Sequence, residues 1–313
     1  MGDEFNLIVG AGRSGTSLLR TMVSSHSEWH VPPESHFIAR MSLVPWRYSG
    51  SAGHSLFVSD VLANGRLALW GIDEDWLRRY VPDRGSENSV GQLLHDLFGA
   101  VAVEQGARRY ADKTPNNVLA LQRIRLSVGP IKVLNIVRDP LAVVASLLRT
   151  EGWGFDDPLA AAVYWRRCVA AAKRASRFGI PVLTVRYEDL VADPATLLRS
   201  VCQFLDSEFE PSMLEFQELG AKQETEHRFG SNHQRLSGVL AIEERWKTEL
   251  SPQDVAEVKM IVGSDYERLG YGRPIRPSAE VVGRAVSAST AEAVGPARLR
   301  MVSGIRRLVS SND

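Results

Sequence analysis

An arginine inside a glycine-rich turn, Val9-Gly10-Ala11-Gly12-Arg13-Ser14-Gly15-Thr16-Ser17, is the segment of this sequence best suited to chemistry. The amides of such a turn, the hydroxyls of Ser14, Thr16 and Ser17 and one guanidinium can surround an anion. Gly10 and Gly15 have the spacing of a phosphate loop, but Thr16 stands where a nucleotide triphosphatase has the lysine for its β and γ phosphates. The anion is therefore not expected to be that of ATP or GTP. Two groups able to accept a proton, Glu34 and His36, follow the double proline Pro32-Pro33. Glu34 is equally placed to be a carboxylate favoured by a helix dipole. A second guanidinium, Arg138, ends the apolar run Ile131–Val137. After it Asp139 suits a helix cap and Pro140 a first helical turn, with Ser146 about two turns in. Arg138 and Ser146 could then present a guanidinium and a hydroxyl to one phosphate at the carboxyl end of a strand. No set of His, Cys, Asp and Glu has metal-ligand spacing, so no metal is expected.

With both anion motifs in view, the chain resembles the sulfotransferases that use 3′-phosphoadenosine 5′-phosphosulfate (PAPS). Gly12-Arg13-Ser14-Gly15-Thr16-Ser17-Leu18 matches their 5′-phosphosulfate loop, and Val137-Arg138-Asp139-Pro140 through Ser146 their 3′-phosphate motif. The two stand about 120 residues apart, and the resemblance covers about residues 5 to 250. The N-terminal run from Arg13 to Glu34 is closest to the tyrosylprotein sulfotransferase pattern. The resemblance implies metal-free transfer of a sulfuryl group to a hydroxyl acceptor, with PAPS as donor and phosphoadenosine bisphosphate (PAP) as product. It places Glu34 at the catalytic base, with His36 as the other candidate, and Arg13 beside the leaving group. It puts Tyr187 near the nucleotide, Arg228 and Gly230 in the segment that closes over it, and Lys113 where relatives have a lysine facing the sulfuryl group. For Lys113 a surface position is the equal alternative. His26 matches a histidine common after this helix and is expected to cap or pack.

Those groups need a frame. Phe5–Val9 reads as a buried first strand, and Leu18-Leu19 with Met22-Val23 recur at helical spacing behind the loop. The segment from His30 to Ser35 reads as a turn, because its prolines exclude helix. Further strands are expected at Arg109–Lys113, Ile131–Arg138 and Ile180–Tyr187, with helices near 157–178 and from Asp193. Alternation of this kind predicts an α/β fold with a parallel central sheet flanked by helices. The resemblance implies the three-layer P-loop-like architecture of the sulfotransferases. Residues 1–272 form the expected domain, and 36–105 a mostly helical insertion for acceptor binding. Phe37, Trp46, Tyr48, Phe57, Trp70, Trp76 and Tyr80 in that insertion suggest an apolar or aromatic small-molecule acceptor, or simply core.

Composition limits the partners. The 37 Lys and Arg balance 37 Asp and Glu, so nothing points to nucleic acid. Two cysteines make no disulfide framework, the first apolar run is five residues long, and no run is long enough to span a membrane. A cytoplasmic enzyme is expected. From Arg273 seven arginines oppose three acids, so 273–313 reads as a basic tail or surface helix, and Leu299–Leu308 as an amphipathic segment for peripheral membrane contact. A small-molecule kinase would explain the first loop alone. A catalytically inactive nucleotide-binding scaffold would leave Arg13, Glu34, Arg138 and Ser146 without a purpose.

Overall fold

Five short apolar runs become strands. In the computed structural model, which describes residues 4–216 and 244–287, they are β1 (Phe5–Gly10), β2 (Trp29–His30), β3 (Arg109–Lys113), β4 (Ile131–Val137) and β5 (Val182–Arg186). All pair in parallel in the order β2-β3-β1-β4-β5, with Ile8 opposite Lys113 on one side and Leu134 on the other. A parallel sheet needs both faces covered. Accordingly Leu7, Ile8 and Val9 of β1, and Val133, Leu134 and Ile136 of β4, are all buried.

The helices are α1 (Thr16–Ser24), α2 (Ile38–Met41), α3 (Gly53–Ala63), α4 (Glu74–Tyr80), α5 (Val90–Glu104) and α6 (Leu121–Val128). After them come α7 (Pro140–Leu148), α8 (Pro158–Arg177), α9 (Tyr187–Ala192), α10 (Pro194–Phe204), α11 (Trp246–Glu249), α12 (Pro252–Val262) and α13 (Ser264–Arg268). Their starts are written in capping residues. Asp139, Asp193 and Ser251 accept backbone N–H bonds ahead of a first-turn proline, and Ser251 and Asp254 close a capping box. Between β2 and β3 the chain makes only helices and 3₁₀ turns. There Phe37, Tyr48 and Phe57 are core residues, and Trp70 packs edge-on against Phe98 at 5.3 Å.

The chain divides into two compact units, Met1–Arg138 with Cys168–Ile242, and Asp139–Arg167 with Glu243–Asp313. The first holds the whole sheet. One core cluster in it joins Leu18, Leu19, Met22 and Val23 of α1 to Ile8, Leu134, Ile136 and Val185, and to Leu198, Val201 and Cys202 of α10. The second contains α7, whose Leu141, Val143, Val144 and Leu147 are buried. In it Arg149 pairs with Glu249, and Arg284 with Glu257 of α12. The amphipathic segment expected at Leu299–Leu308 lies outside the described residues. Among the described residues no helix is long and apolar enough to cross a membrane.

One local expectation is corrected. The turn expected from His30 begins one residue later, because Trp29 and His30 pair with Arg109 and Tyr110 as β2. A strand of two residues has no period to read. On α8 Trp165 is fully buried, while Arg166 beside it is exposed and donates to the Ile261 carbonyl at 3.1 Å.

Candidate active site

The carboxyl ends of β1, β3 and β4 lie side by side, and each delivers a charged or anion-binding group there. Order reverses around β1, which is where open parallel sheets bind ligands. Past Gly10 the chain turns tightly, with Ser14 N–H donating to the Ala11 carbonyl at 3.2 Å. Arg13 sits in the left-handed region at φ 72°, a conformation that costs a non-glycine residue energy and that functional loops retain. Gly15 follows at φ 102°, and a Cβ there would meet the Tyr187 ring at 2.4 Å. Only glycine fits. Helix α1 then begins with no side-chain cap, so its first amides point into the loop without a protein oxygen from a cap. Ser14 Oγ is buried and has no hydrogen-bond partner among the described residues. An orphaned hydroxyl beside an uncapped helix start fits a bound anion.

Arg138, buried at the end of β4, reaches this loop. Its Nη1 lies 3.4 Å from the Arg13 carbonyl oxygen, and its guanidinium lies 4.5 Å over the Tyr187 ring. Arg13, Gly15, Arg138 and Tyr187 thus form one cluster.

Glu34 arrives from β2. Pro32 and Pro33 offer no N–H to a neighbour, so the fixing is done just before them, at Val31. Ser24 Oγ of α1 accepts the Val31 N–H at 3.1 Å, and Arg20 Nε donates to the Val31 carbonyl at 2.7 Å. The Glu34 carboxylate is then held on both oxygens. Lys113 Nζ lies 2.6 Å from Oε1, and His36 Nε2 lies 2.7 Å from Oε2. Lys113 also donates to Ser17 Oγ at 3.3 Å, so one ammonium joins the carboxylate to the anion loop. Burial pushes the Glu34 carboxyl up, but the Lys113 ammonium and the His36 hydrogen bond outweigh it and hold the group well below the usual carboxylate range. Burial likewise pushes Lys113 down, against the pull of Glu34.

The surface reading of Lys113 is therefore overturned: its side chain is 4 % exposed. It is the last residue of β3, and a chain position between Asp112 and Thr114 looks polar without saying which way the side chain turns. His26 packs as expected. Its Nδ1 accepts from the Glu28 N–H at 3.0 Å, and its Nε2 lies 2.7 Å from the Glu208 carbonyl oxygen. Ser146 is buried on α7 of the second unit. Arg228 and Gly230 lie outside the described residues. Phe37, Tyr48 and Phe57 are buried and offer an acceptor almost no surface, whereas Trp46 is 72 % exposed. Arg20, Asp112 and Thr114 were not singled out by sequence, because a buried polar role leaves no periodic signal.

A sequence model of the sulfotransferase family matches residues 7–211. The nodulation protein NoeE of Sinorhizobium fredii is 26% identical over 86% of the chain, and the protein-tyrosine sulfotransferase A of Caenorhabditis elegans 21% over 87%. The chain covers 66% of the first relative and 68% of the second, about two thirds of either. The sulfotransferase domain of the curacin biosynthetic pathway superposes with a TM-score of 0.59 at 23% identity, over 87% of this chain and 99% of that one. The likeness in fold agrees with the parallel sheet and its loop. With the family model spanning the loop, Glu34, Lys113, Arg138 and Tyr187, the chain belongs to the sulfotransferase family.

Proposed function

We propose that this sulfotransferase moves the sulfuryl group of PAPS to a hydroxyl of its acceptor by in-line displacement without a metal, releasing PAP. The observation that carries this reading is Lys113: one buried ammonium contacts both a hydroxyl of the anion loop and the carboxylate placed to take a proton. PAPS supplies a sulfuryl group on a phosphate leaving group. Gly12, Arg13, Ser14, Gly15, Thr16 and Ser17 hold its 5′ end. Arg13 and the amides at the start of α1 oppose the negative charge that grows on the bridging oxygen. Arg138 takes the 3′-phosphate, and Ser146 and Tyr187 keep the nucleotide roles that the resemblance implies for them.

Glu34 accepts the proton of the attacking hydroxyl. With Lys113 and His36 on it the carboxylate is ionised at neutral pH but weakly basic. Two added charges in the loop share the Lys113 ammonium and raise that basicity. His36, in contact at 2.7 Å, can relay the proton. The same contact favours a second reading, in which Glu34 orients the ring and His36 is the base.

The test combines binding and turnover. Calorimetry in EDTA is expected to show PAP binding to the metal-free protein. Labelled PAPS offered with a panel of phenols, sterols, sugars and a tyrosyl peptide is expected to yield at least one sulfated product. With that acceptor, Glu34→Gln should lower turnover roughly 10²–10⁴-fold with PAP affinity nearly unchanged, and His36→Ala should do much less. Near-normal turnover in Glu34→Gln with a large loss in His36→Ala moves the base to His36. Binding of PAP only after Mg²⁺ is restored would sink the metal-free reading.

A further inference from the structure

Beneath the Glu34–His36 turn lies a buried polar cluster that this chemistry does not use. Ser35, Asp112, Thr114 and Asn117 are each at most 2 % exposed. Asp112 accepts from Asn117 Nδ2 at 2.8 Å and from Thr114 Oγ1 at 3.2 Å. Thr114 Oγ1 in turn lies 3.3 Å from Ser35 Oγ and accepts the His36 backbone N–H at 3.4 Å. The hydroxyl has one proton and two lone pairs, so donating to Asp112 leaves it free to accept from Ser35 and from His36. A carboxylate buried this deeply is costly, and these hydrogen bonds offset the cost only while the cluster keeps its arrangement.

His36 is what it orients. Its φ of 57° places a non-glycine residue in the left-handed region, a conformation that surrounding structure must impose. That backbone turn folds the imidazole back onto Glu34 Oε2, two residues earlier, at 2.7 Å. The end of β3 thus fixes Glu34 from two directions. Lys113 holds Oε1 directly, and its neighbours Asp112 and Thr114 act through the backbone of His36.

The geometry points to Asp112 and Thr114 as positioning residues that set the His36–Glu34 contact and so the proton-accepting pair. This rests on the reading of Glu34 and His36 given above. The role is separate from donor binding, because neither residue hydrogen-bonds to the loop in the bonds described.

Thr114→Val deletes the hydroxyl at constant shape, and Thr114→Ser keeps it. Turnover is measured with the panel acceptor that the unaltered protein sulfates fastest, beside PAP affinity by calorimetry. The Glu34 carboxyl is followed by carbon NMR on glutamate-labelled protein, with Glu34→Gln as assignment control. Thr114→Val is expected to lower kcat up to about 10-fold and by no more than His36→Ala does, the scale of a small misplacement of a catalytic group, with PAP affinity within about twofold. Its Glu34 titration is expected to move up toward the ordinary carboxylate value as the His36 hydrogen bond is lost. Thr114→Ser is expected to restore both. Should Thr114→Val fail to fold, Ser35→Ala removes one arm of the same cluster and is read in the same way. A lower Tm with unchanged kcat and an unmoved Glu34 titration would overturn the inference and leave the cluster a purely structural one. If Glu34→Gln and His36→Ala themselves turn over normally, the fault lies in the assignment of the base.

Discussion

Arg138 stands at the meeting of three demands. It is buried, it stacks over Tyr187, and its Nη1 lies 3.4 Å from the carbonyl oxygen of Arg13. A buried guanidinium close to a phosphate loop attracts a second phosphate more strongly than one in water, because little solvent screens it. Arg138→Ala is therefore expected to weaken PAP binding by about 1.5–3 kcal/mol, the range for a lost charged hydrogen bond. For adenosine 5′-phosphosulfate, which has no 3′-phosphate, the loss should largely vanish. Titration calorimetry with the two ligands separates the cases. Equal losses would assign Arg138 to supporting the Arg13 turn. Gly15 illustrates the opposite kind of constraint: there a side chain is excluded, because the Tyr187 ring occupies its place.

At the scale of elements, what sequence makes legible is what has a period or a cap. The Ile131–Val137 run and the Phe5–Gly10 run alternate with nothing and are buried on both faces, so they read as parallel strands. Asp139-Pro140 and Asp193-Pro194 announce α7 and α10 through capping chemistry. The anion loop and Arg138 were readable because each follows such a strand. Lys113 was reached only through the resemblance, with a surface position as the equal alternative, since one residue at a strand end carries no period and its partner Glu34 is 79 residues away. The clamp on Val31 was invisible for the same reason. Arg20 and Ser24 look like ordinary helix residues, yet they take over the hydrogen bonds that a longer β2 would have made. Ser24→Ala leaves the Val31 N–H without this acceptor and is expected to destabilise the fold by about 1–2 kcal/mol. Because Glu34 lies three residues on, turnover should fall more than PAP affinity. Urea unfolding and steady-state kinetics on the same variant check both parts, and an unchanged unfolding midpoint would show that the clamp does not restrain the turn.

For the molecule as a whole, placing cations near the carboxyl ends of the strands has a consequence for stability. Arg20, Lys113 and Arg138 are all buried in the first unit. His30, at the end of β2, feels the Arg20 charge. Burial and then the Arg20 charge lower its pKa from 6.5 to about 4. The sign follows from proton counting. Between those two values the unfolded chain binds a proton that the folded chain refuses, so stability falls as pH drops from 6.5 toward 4 and the term disappears above 6.5. Glu34 acts differently. Its depressed pKa stabilises the fold above the ordinary value of 4.5, and that contribution is lost only as pH falls below it. Measuring between pH 7.5 and pH 5 therefore separates His30 from Glu34, and the comparison with a variant isolates it. Over that window the histidine is expected to remove about 2 kcal/mol of stability, and His30→Gln, which cannot titrate, should flatten the loss by that amount. Urea unfolding of both proteins at the two pH values provides the comparison. Identical losses in the two would mean that His30 takes up its proton in the folded state, which the nearby Arg20 guanidinium opposes.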